Sequence, residues 1–231
     1  SGAITPGHEV AGIVHTVGPA VKGDWTPGLR VVLQAGQACG DCADCLRHML
    51  CRRPLTRGVD YDGGWAQYAL AREDTLLPIP DHLPFDQAAI IPDAVSTPYA
   101  AIVDTGAVRP AQAVGIWGAG GLGAHGIRLA RLVGAAPVIA VDPLPSARER
   151  ALRFGADHAL DPTAGDFAEA VHAATAGRGV DVAFDFAGVG AARAQATTVL
   201  GPHGVLVLAG LTPAPVTVAD SIGFCFNVQQ I

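Results

Sequence analysis

Hydrophobic positions fall into two textures along the chain. Over residues 1–106, short apolar runs are broken by Gly, Pro and polar residues, and "VAGIVHTVG", "RVVLQA", "AQYALA" and "TLLPIP" read as strands between turns. Within that part "PFDQAAI" and "VSTPYAAIVD" are Ala-rich and free of Gly, which predicts two helices. From residue 107 the pattern becomes regular. Apolar strands ("AVGIWG", "PVIAVD", "HALDP", "VDVAFDFAG", "GVLVLAG") alternate with amphipathic helices ("GLGAHGIRLARLVGA", "SARERALRFGA", "FAEAVHAATAG", "AARAQATTVLG"). Such alternation predicts βαβ units, and hence an α/β fold with a doubly wound parallel sheet preceded by a β-rich domain. The final "FCFNVQQI" reads as one further strand.

Composition narrows the classes. The 231 residues suit two domains, 1–106 and 107–231. Half of the residues are hydrophobic and 16% are charged, enough to bury a core and too apolar for a disordered chain. A formal net charge of −6 argues against a nucleic-acid partner. No apolar run reaches about eighteen residues, so no transmembrane helix is expected. The start, "SGAITPGHEV", lacks a signal-peptide pattern, which points to a cytoplasmic protein.

The first strand of the regular part runs into Gly118-Ala119-Gly120-Gly121-Leu122-Gly123 and then into a helix. G-x-G-x-x-G between a strand and a helix is a dinucleotide cradle. Gly118 permits the tight turn, Gly120 lets backbone N–H groups approach a pyrophosphate, and Gly123 lets helix and strand pack closely. Gly121 and Leu122 open the helix whose N-terminus faces the anion. Asp142 closes the next strand, nineteen residues after Gly123, where an acid accepts hydrogen bonds from ribose hydroxyls and favours NAD over NADP. Arg148 lies close enough to serve a phosphate but reads as a solvated helix residue.

Four of the five cysteines, Cys39, Cys42, Cys45 and Cys51, fall within thirteen residues as C-x2-C-x2-C-x5-C. A redox pair or unrelated free thiols are the alternatives. The crowding fits a four-thiolate structural zinc site better, because four sulfurs leave no position for water or substrate. Cys225, in an apolar setting, is expected in the core. His8, next to Glu9, and Asp93 form a second, weaker metal candidate. On spacing alone, a structural histidine and a helix-capping aspartate are the more usual reading of this pair.

These residues resemble the zinc-dependent medium-chain alcohol dehydrogenases. The likeness rests on "GHEVAGIVHTVGPAV" (Gly7, His8, Glu9, Gly12, Gly18, Val21), the cysteine lobe, "GGWAQY", "PDAVST" and "GAGGLG", in that order over essentially the whole chain. It implies a GroES-like catalytic domain, then a Rossmann domain with its cofactor at the carboxyl ends of the parallel strands. By the same likeness His8 and Asp93 are catalytic zinc ligands and Glu9 stands behind them. Thr97 lies beside the nicotinamide, and Trp65 lines the substrate pocket or packs under a loop. With Leu211, these residues are too few to define the substrate.

The activity implied is NAD-linked, zinc-dependent oxidation of an alcohol or polyol to an aldehyde or ketone, and its reverse, by a homodimer or homotetramer. The family's upstream ligand Cys and C-terminal segment are not among these residues, and the last cysteine gap is shorter than usual. The expectation is therefore an internal fragment that alone binds catalytic zinc and NAD weakly and turns over little. Alternatives are a zinc-free quinone or enoyl reductase on the same fold, or a nucleotide-binding remnant without catalysis.

Overall fold

A computed structural model of the chain describes residues 2–218 and 220–231. Cα packing divides it into two compact units, Ser1–Asp93 and Ala94–Ile231. The change in hydropathy pattern places a boundary later, at 106/107. The intervening segment is helical, and its part Ser96–Tyr99 packs against the first long helix of the second unit.

The first unit is built on a three-stranded antiparallel sheet ordered β1-β2-β5, from Val10–Ile13, Arg30–Leu33 and Leu76–Pro78. The central strand β2 carries Val31, Val32 and Leu33, all buried, so this strand is covered on both faces. A two-stranded ribbon pairs β3 (Gly36–Gln37) with β4 (Leu55–Thr56) and brackets the cysteine lobe between them. The helix α1 (Phe85–Ala89) packs against β1. The expected strand "AQYALA" does not form. Residues 66–71 run as exposed, irregular chain and pair with no strand among the described residues.

After α1 the chain stays helical to Thr105. Wide π turns at Ile91–Val95 and Ala100–Thr105 flank α2 (Ser96–Tyr99). Pro92 and Pro98 interrupt this stretch, since proline removes a backbone donor and clashes with the preceding turn.

The second unit is a five-stranded, all-parallel sheet in the order β10-β9-β6-β7-β8. Its strands are β6 (Val114–Trp117), β7 (Val138–Val141), β8 (His158–Leu160), β9 (Val180–Asp185) and β10 (Leu200–Leu208). Most buried positions of these strands are apolar because both faces of the sheet are covered. Alternate residues serve the two faces. Val114, Ile116, Val138, Ala140, Val182 and Phe184 join one core with Ile127 and Ala130 of α3 (Gly121–Leu132) and Ala147 and Ala151 of α4 (Pro145–Phe154). Trp117, Ile139, Val141 and Ala183 join the other with Phe167 and Val171 of α5 (Phe167–Ala174) and Ala196 of α6 (Gly190–Thr198).

The chain reverses strand order beside β6, so a crevice opens there at the carboxyl ends of β6 and β9. The expected final strand, residues 224–231, does not form: its first three residues end the helix α7 (Ser221–Phe226) and the rest is turn and irregular chain. Only Gln230 makes a parallel bridge, to Val205. No helix among the described residues is long and apolar enough to cross a membrane.

Candidate functional site

The turn after β6 carries the glycines, and each meets a different constraint. Gly118 sits at φ +89°, in the left-handed region. A Cβ on Gly123 would stand 1.7 Å from the Gly118 carbonyl oxygen, so helix α3 can follow the strand this closely only without a side chain. At Gly120 a Cβ would meet nothing within 4 Å. The room there is open, which suits backbone approached by a ligand. Gly121 is the first residue of α3, with Leu122 and Gly123 in the same turn, so the first N–H groups of the helix face this space.

A cavity of about 560 Å³ opens beside the turn, lined by Gly118, Gly120, Asp142, Thr163, Phe186 and Val189 among others. Asp142 is buried at its edge. One carboxylate oxygen accepts the Ala119 N–H at 2.9 Å and the other the Leu144 N–H at 2.9 Å. The carboxylate thereby ties the turn after β6 to the turn after β7, and about two of its acceptor positions stay open.

Arg148 departs from its expected solvated state. It donates to the carbonyl oxygens of Asp142 (2.7 Å) and Pro143 (2.8 Å) and pairs with Asp161 at 3.1 Å. Backbone carbonyls at the strand end attract a cation, and Asp161 neutralises it. Hydrogen bonds from Thr163, together with the Arg148 charge, hold the Asp161 carboxyl below the usual range.

In the first unit the four lobe cysteines assemble. Their sulfurs all lie within 4.8 Å of one another and could hold a metal ion. The Sγ–Sγ distances are 3.4 Å (Cys42–Cys45), 3.5 Å (Cys39–Cys51) and 3.8 Å (Cys39–Cys45). A tetrahedron with Zn–S bonds of about 2.3 Å has an edge of about 3.8 Å. The spacing therefore matches a four-sulfur zinc site and is far from a disulfide bond. Despite the five-residue gap, Cys51 reaches the group. Its sulfur accepts the backbone N–H groups of Cys39 and Arg53, each at 3.3 Å.

The same backbone bonds bias the thiols. The Cys45 N–H helps pull Cys42 down to about 6. Cys45 receives a lowering bond from Gly40, yet the contact with the Cys42 sulfur and lost solvation push it up to about 12. Cys225, expected in the core, is exposed, because the terminal helix α7 leaves it on the outer side.

His8 and Asp93 also meet. Nε2 of His8 lies 3.1 Å from a carboxylate oxygen of Asp93, and both side chains are about one-third exposed. The loop 62–65 fixes the segment leading to His8. Gly63 N–H donates to Thr5, Gly64 N–H to Gly7 and Trp65 N–H to Pro6. The indole of Trp65 lies against Gly7, where a Cβ would come within 2.3 Å of Cδ1, and is 79% exposed. It is therefore not a core aromatic. Asp93 stands in the π turn Ile91–Val95. Glu9 is exposed in the first unit, and Thr97 is half-buried in the second. Among the described residues, only the four cysteines bring three or more potential metal ligands together.

Several residues at the sites were given no individual role by the sequence, although Gly63 and Gly64 open the "GGWAQY" stretch. Gly58, Gly63 and Gly64 press on the His8 segment and on Val10. Phe186 and Val189 line the cavity by standing at the end of β9, a place the strand-end rule for parallel sheets points to.

Comparison with known proteins accords with this architecture. Residues 2–81 match the alcohol dehydrogenase GroES-like domain and residues 121–230 the zinc-binding dehydrogenase family. The L-threonine 3-dehydrogenase of Pyrococcus horikoshii is 36% identical over 216 residues, 92% of this chain and 60% of that protein. The geraniol dehydrogenase of Castellaniella defragrans is 32% identical over 99% of this chain and 68% of its own length. A zinc-binding dehydrogenase structure from Sinorhizobium meliloti 1021, bound to NADP, superposes with a TM-score of 0.91 at 31% identity, covering 100% of this chain and 68% of that one. The chain thus spans about 60% of the length of the threonine dehydrogenase it matches. The two domain matches in sequence, the parallel sheet with its glycine turn, and relatives of this similarity show that the chain belongs to the zinc-dependent medium-chain alcohol dehydrogenase family.

Proposed function

We infer that the chain serves an NAD-linked dehydrogenase that interconverts an alcohol or polyol with its aldehyde or ketone. The observation that carries this reading is the cavity at the strand ends of the second unit, with the open backbone at Gly120 and the Asp142 carboxylate at its rim. Gly118, Gly120, Gly121, Leu122 and Gly123 hold the pyrophosphate with backbone N–H groups. Asp142 accepts ribose hydroxyls and disfavours a 2′-phosphate. The pairing of Arg148 with Asp161 supports the same preference, since this guanidinium already has an anionic partner. NAD, when bound, takes up the hydride from the alcohol carbon, and Thr97 packs beside its ring.

His8 and Asp93 supply an imidazole nitrogen and a carboxylate oxygen 3.1 Å apart, close to the separation of about 3.4 Å for two such donors on one tetrahedral zinc. A zinc ion held there contributes Lewis acidity toward the alcohol oxygen. Glu9 stands behind His8, and Trp65, lying against Gly7, lines the substrate side. Cys39, Cys42, Cys45 and Cys51 hold a second, structural zinc. Free thiols kept side by side belong to a reducing, cytoplasmic compartment. Assembly as a homodimer or homotetramer is part of the same reading, with β10 as the outer strand of its sheet.

A second reading, a nucleotide-binding unit that carries structural metal alone, is favoured by the four cysteines being the sole set of three or more donors among the described residues. Catalytic sites use three protein donors. Metal analysis of the purified chain, with alcohol-dependent NADH formation assayed on the same sample, separates the readings. One tightly held zinc, lost in Cys51→Ser, with a second that binds weakly and is lost in His8→Ala and raises turnover, is the outcome expected of the dehydrogenase. One zinc with no second site favours the binding unit. A metal-free chain that still forms NADH contradicts both.

A further inference from the structure

The lining of the cavity at the strand ends includes a hydrogen-bonded amide that the cofactor reading does not use. Trp117, the last residue of β6, is buried and donates its indole Nε1–H to the side-chain oxygen of Gln195 at 3.1 Å. Gln195, in α6, donates in turn from Nε2 to the carbonyl of Pro162, after β8, at 2.8 Å. All three residues line the cavity together with Asp142, Leu144 and Thr163.

The indole itself is held in place. A Cβ on Gly115 would stand 2.5 Å from its Cζ3 atom, and Phe167 meets it edge-on with ring centroids 6.3 Å apart. A buried indole N–H needs an acceptor, but any carbonyl would serve. What an amide adds is a fixed sense. The indole N–H can only donate and the Pro162 carbonyl can only accept, so the two bonds assign oxygen to one end of the amide and nitrogen to the other. Turning the amide over would set N–H against N–H and oxygen against oxygen. An amide has two acceptor positions and two N–H groups, so one acceptor position and one donor remain for a ligand.

The neighbours of this amide say which ligand group it suits. With Asp142 at the cavity rim taking ribose hydroxyls, the base of that nucleoside enters the cavity. The apolar surface of Leu144, Pro162 and Val189 suits the faces of a flat base, whose edge is polar. Adenine presents an amino donor flanked by ring-nitrogen acceptors, the pattern that an amide oxygen and N–H match. Hypoxanthine carries a carbonyl in place of that amino group, so its oxygen meets the amide oxygen and is repelled. Resting on the nucleotide reading above, we propose that Gln195 is a specificity-determining residue that reads the adenine edge. Trp117 and the Pro162 carbonyl position it by locking its amide against turning.

The test compares NADH with the reduced form of nicotinamide hypoxanthine dinucleotide, its deaminated analogue, by titration calorimetry on the full chain. NADH is expected to bind at least about tenfold tighter, the scale of one hydrogen bond made with adenine and refused by hypoxanthine. Trp117→Phe keeps an aromatic ring in the space but removes the N–H, so the amide is free to turn over. It is expected to bring the two affinities within about threefold, chiefly by strengthening the analogue. Gln195→Met, of similar length and without polar ends, is expected to reach the same ratio by weakening NADH. Should that variant fold poorly with the indole N–H left unpaired, the double variant Trp117→Phe/Gln195→Met removes this donor too. A merely structural network would lower the melting temperature and leave the ratio of the two affinities unchanged, and that result overturns the proposal. Equal affinity of the unaltered chain for both ligands also overturns it, while the nucleotide reading stands. Failure of the unaltered chain to bind either ligand would overturn the nucleotide reading itself, and the proposal with it.

Discussion

Gly120 and Gly123 stand three residues apart in one turn yet do opposite things, and the difference can be measured. Gly123 is pressed against the Gly118 carbonyl, so Gly123→Ala must push helix α3 off the strand. Overpacking of this kind costs about 1–3 kcal/mol, which a scanning calorimeter reads as a melting temperature lower by roughly 2–12 °C, with weaker NADH binding. Gly120 borders open space, so Gly120→Ala is expected to leave the melting temperature unchanged and weaken NADH alone. Equal loss of stability in both variants would contradict the assignment.

The cysteines carry a second prediction at this scale. Cys42, drawn down to about 6 by the backbone N–H of Cys45, is a thiolate at neutral pH, whereas Cys45, pushed up to about 12, keeps its proton until metal displaces it. Zinc competes with protons for these sulfurs, so its apparent affinity rises with pH and falls steeply below about pH 6, where Cys42 is protonated as well. Chelator competition at a series of pH values measures this, and a pH-independent affinity would exclude thiolate ligation. The cysteine spacing made this cluster legible in the sequence. The Trp117–Gln195 pair was not legible, because a tryptophan and a glutamine 78 residues apart signal nothing until a strand end and a helix bring them together.

At the scale of elements, the strands of the second unit were readable because their apolar runs have both faces covered. Ile116 in β6 is fully buried, and Ile116→Ala is expected to cost about 2–5 kcal/mol. Leu152 in α4 is half exposed, and its change to Ala should cost much less. Urea denaturation compares the two; similar costs would place Ile116 outside the core. The same reasoning explains the misreadings. "AQYALA" has the right alternation but pairs with no strand among the described residues, and pairing is invisible to a local pattern. "FCFNVQQI" is apolar enough for a strand, yet the Asp220 side chain accepts the Gly223 N–H and caps a short helix instead. The helical run to Thr105 was legible as helix, but its π turns depend on how Pro92 and Pro98 are accommodated, which propensity does not encode.

At the scale of the whole molecule, each unit brings its own chemistry. The cysteine lobe has little apolar filling, since Leu46, Met49 and Leu50 are largely exposed, so metal has to supply its cohesion. The cavity of the second unit is walled by the ends of β6 and β7, the loops that follow the strands, and helix α6. The order of motifs made this division of labour visible in the sequence, whereas the 3.1 Å approach of His8 to Asp93, across 85 residues of chain, needed the fold. The most direct test of the account is a fluorescence titration of the chain with NADH and NADPH side by side. Saturable binding with NADH the tighter ligand is the predicted result, and no saturable binding, or a preference for NADPH, would contradict the account.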